Sequence, residues 1–138
     1  MASEWRVWLV SLALGMLLLA GCGTEPQSPE LSDEERVAER AELRWAALVD
    51  GALEEAYDFE APGYREVYTL RAYRGRLGQQ VRWTAAEVLD TAVDEDRATV
   101  RVLVSYVAIG AGGQPVDGQR PLEETWLRED GEWWHLGK

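Results

Sequence analysis

The chain predicts an α+β fold in which N-terminal helices pack on a curved antiparallel sheet. Two observations carry that expectation. Apolar residues recur every three or four positions in the first half of the body, and from about residue 81 they alternate instead. The alternating half is punctuated by turn signals at Asp94-Glu95-Asp96, Gly110 to Gly118 and Asp130-Gly131, which join consecutive strands into a meander. Helices first and strands after is the order that lays helices on one face of a sheet.

The first helix should start at Ser32, because Ser32 followed by Asp33, Glu34 and Glu35 is a capping box with acids where the helix dipole favours them. Val37, Ala41, Trp45, Leu48 and Ala52 then form one apolar stripe flanked by Arg36, Glu39, Arg40 and Glu42. Gly51 breaks it, and Ala52 to Phe59 reads as a short second helix. Glu60-Ala61-Pro62-Gly63 reads as a turn, and Thr69 caps a third helix through Leu70, Tyr73 and Leu77 to Gly78.

Val81 to Val93 is the first strand, and its apolar register slips between Trp83, Ala85 and Ala86, Val88, which predicts a bulge there. Ala98 to Tyr106 alternates with one face more apolar. Gly110 to Gly118 reads as a long mobile hairpin loop, followed by a strand from about Pro121 to Glu129. Asp130-Gly131 is a tight turn into a last strand, Glu132 to Leu136, where Trp133 and Trp134 must face opposite ways, so at most one fills the core.

Ahead of this body, an apolar run of about 14 residues from Val7 to Ala20 is shorter than the about 20 that a spanning helix needs. It ends in Leu19-Ala20-Gly21-Cys22, which resembles a bacterial lipobox. The resemblance implies cleavage before Cys22, lipidation of that residue, and attachment to a membrane through the N-terminal lipid. The body would then face an extracytoplasmic compartment: the periplasmic side of an outer membrane, or the outer side of a cell membrane. Residues 1–21 are read as a signal peptide and 22–30 as a flexible tether, rich in Pro, Ser and Gln, reaching roughly 16 Å as coil. Residues 31–138 make a single domain.

A net charge of −11 disfavours phosphate backbones, so nucleic acid is not an expected partner. The single cysteine and single histidine offer no zinc set, Asp94-Glu95-Asp96 lacks the spacing of a calcium loop, and Gly110 to Gly113 opens no helix that could cradle phosphate. No metal and no cofactor are expected. His135 reads as a surface or strand-edge residue, and Asp50, Glu54, Glu55 and Asp58 as solvated acids, so no catalytic residue is assigned.

From Leu31 to Lys138 the chain resembles the nuclear-transport-factor-2-like, or SnoaL-like, superfamily of cone-shaped α+β domains. The resemblance rests on Trp45, Leu48, Gly51, Ala56, Tyr57, Pro62-Gly63-Tyr64-Arg65, Leu70, Tyr73, Glu124, Trp126 and Gly131-Glu132-Trp133-Trp134. It implies a pocket between helices and sheet, with Trp45, Tyr57, Tyr64, Tyr73, Trp83, Tyr106 and Trp126 as candidate lining. The superfamily spans several activities, so two readings stay open. One is a lipid-anchored binding or interaction module of the envelope, its partner an apolar small molecule or an envelope protein. The other is a small SnoaL-like isomerase or dehydratase acting on an apolar ligand in the cone. Homodimerisation through the exposed sheet face is a further expectation, since similar folds share that habit.

Overall fold

Ser32 starts the fold: its side chain accepts from the Glu35 amide at 3.2 Å while the Glu35 carboxylate accepts from the Ser32 amide at 2.8 Å. The computed structural model describes residues 30–77 and 81–137. The lipobox, Cys22, the signal peptide and nearly all of the tether lie outside them. Helix α1 runs Asp33–Asp50 and ends at Gly51, whose left-handed φ of 74° lets its amide and that of Ala52 close back on Leu48 and Ala47. Helices α2 (Leu53–Asp58), α3 (Pro62–Val67) and α4 (Leu70–Arg76) follow, the last capped by Thr69 as expected.

Helix α3 corrects the sequence reading, which placed a turn at Glu60 to Gly63. Proline there is the first helical residue rather than a turn corner, because its fixed φ suits a helix start and the amide it lacks would have no partner there.

Four strands pair in the order β1-β2-β3-β4, all antiparallel: β1 Val81–Asp94, β2 Arg97–Ile109, β3 Pro115–Glu129 and β4 Glu132–His135. Register shifts fall at Trp83/Ala85, where the bulge was expected, and again at Val88/Asp90. Both bend β1. Asp130 (φ 53°) and Gly131 (φ 81°) make the tight turn into β4.

The segment read as a long mobile loop is mostly strand. Only the stretch between Ile109 and Pro115 turns, and those two residues already pair. The glycine at 118 misled the reading, because it sits in β3 opposite Tyr106, whose ring covers it closely: a β-carbon at 118 would lie 2.5 Å from Tyr106 Cζ. A glycine in a strand can mark such a close approach rather than a loop.

The inner face of β2 (Ala98, Val100, Val102, Val104) meets Val37, Ala41, Trp45 and Leu48 of α1, and Trp126 and Trp133 complete the core. Each valine and leucine among them contributes roughly 1.5–3 kcal/mol on burial, so this layer holds the helices to the sheet. Trp133 is fully buried and Trp134 only half-buried, as their alternation requires. Edge strand β4 gains a short parallel partner outside the sheet. The His135 amide donates to Phe59 O at 2.8 Å, and the Ala61 amide donates to His135 O at 2.9 Å. This clasp ties the α2–α3 junction to the sheet and brings Glu60 beside His135.

Candidate functional site

Four ionisable side chains from four elements of the fold converge in the core. Arg44 comes from α1, Glu60 from the α2–α3 junction, Glu124 from β3 and His135 from β4; Arg44, Glu60 and Glu124 are 5%, 1% and 7% exposed. Arg44 donates from Nε and Nη2 to Glu60 Oε1 at 3.2 and 2.9 Å, and from Nη1 to Glu124 Oε1 at 3.0 Å. The indoles of Trp45 and Trp126 donate to Glu124 at 2.9 and 3.3 Å. His135 Nδ1 lies 2.8 Å from Glu60 Oε2, and Nε2 lies 3.8 Å from Glu124 Oε1.

The charges support one another. Burial opposes the charge on Arg44, but Glu124 and Glu60 outweigh it and hold its pKa above the ordinary value. Burial likewise pushes the Glu60 carboxyl up, but the hydrogen bond from His135 and the charge of Arg44 reverse this and hold it below the ordinary value. An ionised Glu60 accepts, so the proton shared with His135 resides on Nδ1. Both Glu60 oxygens are thereby engaged. Glycine at 137 closes the cluster from the C-terminal side, since a β-carbon there would lie 2.5 Å from the Tyr64 ring and 2.8 Å from Glu60 Oε2.

His135 therefore corrects the sequence reading in part. It does sit on the edge strand, but its side chain is only 13% exposed and belongs to this cluster. Asp50, Glu54, Glu55 and Asp58 are exposed, as expected. The carboxylates inside the cone are Glu60, which had been placed in a turn, and Glu124, which had served only as a mark of the fold. Arg44 was not singled out, although a signal existed: it stands seven residues after Val37 and three after Ala41, on the apolar stripe itself. An arginine on a buried face demands a buried acid. Asp96 is held by Arg128 at 2.8 Å within the hairpin turn, and among the described residues no group of three or more His, Cys, Asp and Glu side chains is arranged to hold a metal ion.

The seven aromatics proposed as lining fall into separate groups. Tyr57, Tyr64 and Tyr73 pack together on the helical side, with centroids 5.4 Å apart for Tyr57 and Tyr73 and 6.4 Å for Tyr64 and Tyr73. Trp126 stacks edgewise under His135 at 5.6 Å. Trp45, Trp83 and Tyr106 form a chain of edge-to-face contacts, 5.4 and 5.9 Å between successive centroids, leading from the core to the open end of the sheet. Cavities border this last group, and another, of about 410 Å³, lies apart from it between α1 and β4 beside Arg36, Arg40, Leu43 and Glu132. Of those that border it, one of about 490 Å³ is bounded by Leu48, Leu53, Leu77, Val81 and Trp83, with Asp50, Arg74 and Arg82 also lining it. A second, of about 170 Å³, shares Val81 and Trp83 with it and adds Tyr106 and Arg120. A third, of about 310 Å³, runs between α1 and β1 over Trp45, Ala46, Ala86 and Val102, with Glu42, Asp50 and Glu87 also lining it.

Compared with family models and with curated proteins, the chain matches none. Among solved structures it is similar to a SEC-C motif containing protein from Psychrobacter arcticus (TM-score 0.57, 13% identity, 79% of this chain and 63% of that one). The chain thus spans less than two thirds of that protein. It is also similar to a SEC-C motif containing protein from Rhodopseudomonas palustris (TM-score 0.54, 15% identity, 68% and 70%) and to an LEH-like epoxide hydrolase of M. tuberculosis (TM-score 0.51, 13% identity, 79% and 83%). At these identities the likeness shows the fold alone: helices on one face of a curved antiparallel sheet, a cone-like α+β arrangement.

Proposed function

We propose that this protein is a lipid-anchored binding module of the cell envelope, tethered through Cys22, whose ligand is an apolar small molecule held at the open end of the cone around Trp83. The observation that carries the reading is the division of labour inside the cone. Its buried charged groups are spent on one another in one cluster, whereas the open space lies beside Trp83, Leu48, Leu53 and Leu77, with Asp50, Arg74 and Arg82 also lining it. Ligand sites are concave and mostly apolar, with few polar groups.

The catalytic reading, a SnoaL-like isomerase or dehydratase, draws on the buried His135, Glu60 and Arg44. Against it, a general base must reach the proton that it abstracts, and Glu60 is 1% exposed with both oxygens engaged. Binding is the reading that the geometry supports better.

The tether and the cavity are tested separately. Cys22→Ser should release the protein from membranes or leave it uncleaved, and intact mass should show acyl chains on the wild type alone. A variant that is processed and membrane-bound like the wild type would end the lipid-anchor reading. Native mass spectrometry of the full chain, purified gently from its own envelope, should show a retained small molecule that Trp83→Ala loses. A dimer or a protein adduct without ligand would favour an interaction module working through the sheet face.

A further inference from the structure

Resting on the reading of the Trp83 cavity as a ligand site, we infer that its ligand is an amphipathic organic anion, an apolar body ending in a carboxylate, with Arg120 as the headgroup partner.

Arginines that face the interior of this fold are elsewhere matched with acids. Arg44 is used by Glu60 and Glu124, Arg40 by Glu132, and Arg128 by Asp33 and Asp96. Arg120, exposed where the inner face opens to solvent, has no such partner among the described residues. It stands on β3 opposite the buried Val104, hence on the inner face, yet it makes no ion pair among them. In a chain of net charge −11, Arg120 at the smaller cavity, with Arg82 and Arg74 at the larger one, makes a local reversal of sign.

The setting suits a carboxylate. The Arg120 guanidinium lies 5.9 Å from the centroid of the Tyr106 ring, and the two residues with Val81 and Trp83 bound the smaller cavity. Contact with an aromatic ring leaves the in-plane N–H groups of a guanidinium free, and their fork matches a carboxylate's two oxygens. Through Trp83 and Val81 this headgroup site continues into the larger cavity, where Leu48, Leu53 and Leu77 offer the apolar surface for a chain. Arg74 shares an α4 face with Leu77 and has only an exposed Glu54 at 3.9 Å, so it adds to the positive field. At the other side Asp50 borders both the larger cavity and the groove that carries Glu42 and Glu87, a polarity that orients an anion toward Arg120.

The test is binding of radiolabelled decanoate, decanol and decylamine by the full chain held in phosphatidylcholine nanodiscs, with empty nanodiscs subtracted. Decanoate should bind tighter than the other two by on the order of tenfold, the scale of one hydrogen-bonded charge. Arg120→Gln should remove that margin and leave decanol binding unchanged, Arg120→Lys should restore part of it, and Trp83→Ala should weaken all binding. Decanol binding as tightly as decanoate, or decylamine binding tighter, would overturn the anion assignment while keeping the cavity as a ligand site. Binding of none of the three, or binding indifferent to Trp83→Ala, would overturn the cavity reading and the assignment with it.

Discussion

Arg44 and Glu60, from α1 and from the α2–α3 junction, share a buried contact in which Nε and Nη2 both reach Oε1, at 3.2 and 2.9 Å. Their neighbours in the core are apolar or belong to the same cluster, so neither charge has water to fall back on. The pair acts as a joint between the helices and the sheet, because Glu60 is in turn held by His135 of β4.

Breaking this joint from one side should be costly. Arg44→Met leaves two buried carboxylates without their cation and is expected to lower stability by about 3–5 kcal/mol in urea unfolding. Adding Glu60→Gln and Glu124→Gln to that variant should recover part of the loss, since the charges disappear while the amide oxygen at 124 still accepts from the indoles and that at 60 from His135. A triple variant less stable than Arg44→Met alone would contradict the account of the cluster.

Acid should act through the same carboxylate. The folded-state pKa of Glu60 lies below its ordinary 4.5, so its contribution is fully present above that pH and is lost as pH falls through the depressed value. Stability measured from pH 6 downward should fall on the acid side of 4.5, with a shallower slope in Glu60→Gln. Equal slopes in the two proteins would remove Glu60 from the acid limb.

Tyr73 should behave in the opposite sense. Its ring is 3% exposed, and its hydroxyl has no hydrogen-bond partner among the described residues. Burial pushes its pKa above the ordinary 10.0, with Arg44 opposing and Glu60 adding to the rise. The folded state keeps the proton while the unfolded chain loses it above pH 10, so stability declines there. Tyr73→Phe should remove that alkaline decline and, at neutral pH, leave stability unchanged or raised by up to about 1 kcal/mol. A clear loss at neutral pH would show that the hydroxyl is engaged.

Two glycines should respond to alanine with opposite signs. At 137 the new methyl would press on the Tyr64 ring and Glu60 Oε2, and a loss of about 1–3 kcal/mol is expected. At 75, in the last turn of α4 with open space around it, alanine should raise stability by up to about 0.5–1 kcal/mol. Thermal unfolding of the two variants side by side gives the comparison.

What could be read from the sequence divides along physical lines. Periodicity placed α1, and local chemistry placed its Ser32 cap, its Gly51 end and the Asp130-Gly131 turn, because each depends on residues close in the chain. The first turn of α3 was missed because a proline-led helix start and a turn share backbone angles over their first residues. The β2–β3 ribbon was missed because Gly118 owes its place to Tyr106 across the sheet, a contact that local pattern does not encode. The buried cluster was missed for the same reason. Arg44 on an apolar stripe announced a buried partner, but Glu60 reaches it only through the clasp between Phe59, Ala61 and His135. Trp45 and Trp83 were named as lining from composition and resemblance, while the separation of Tyr57, Tyr64 and Tyr73 into a helical cluster needed the packing itself.

The central claim is that the Trp83 cavity, and not the sheet face, takes the ligand. The indole N–H signals of the tryptophans report on it directly in a ¹⁵N–¹H spectrum of the protein titrated with a small-molecule extract of its host cells. The account predicts that the signals of Trp83 and its neighbour Trp45 shift together while those of the buried Trp126 and Trp133 stay in place. Signals of Trp83 and Trp45 that stay in place throughout the titration would contradict it.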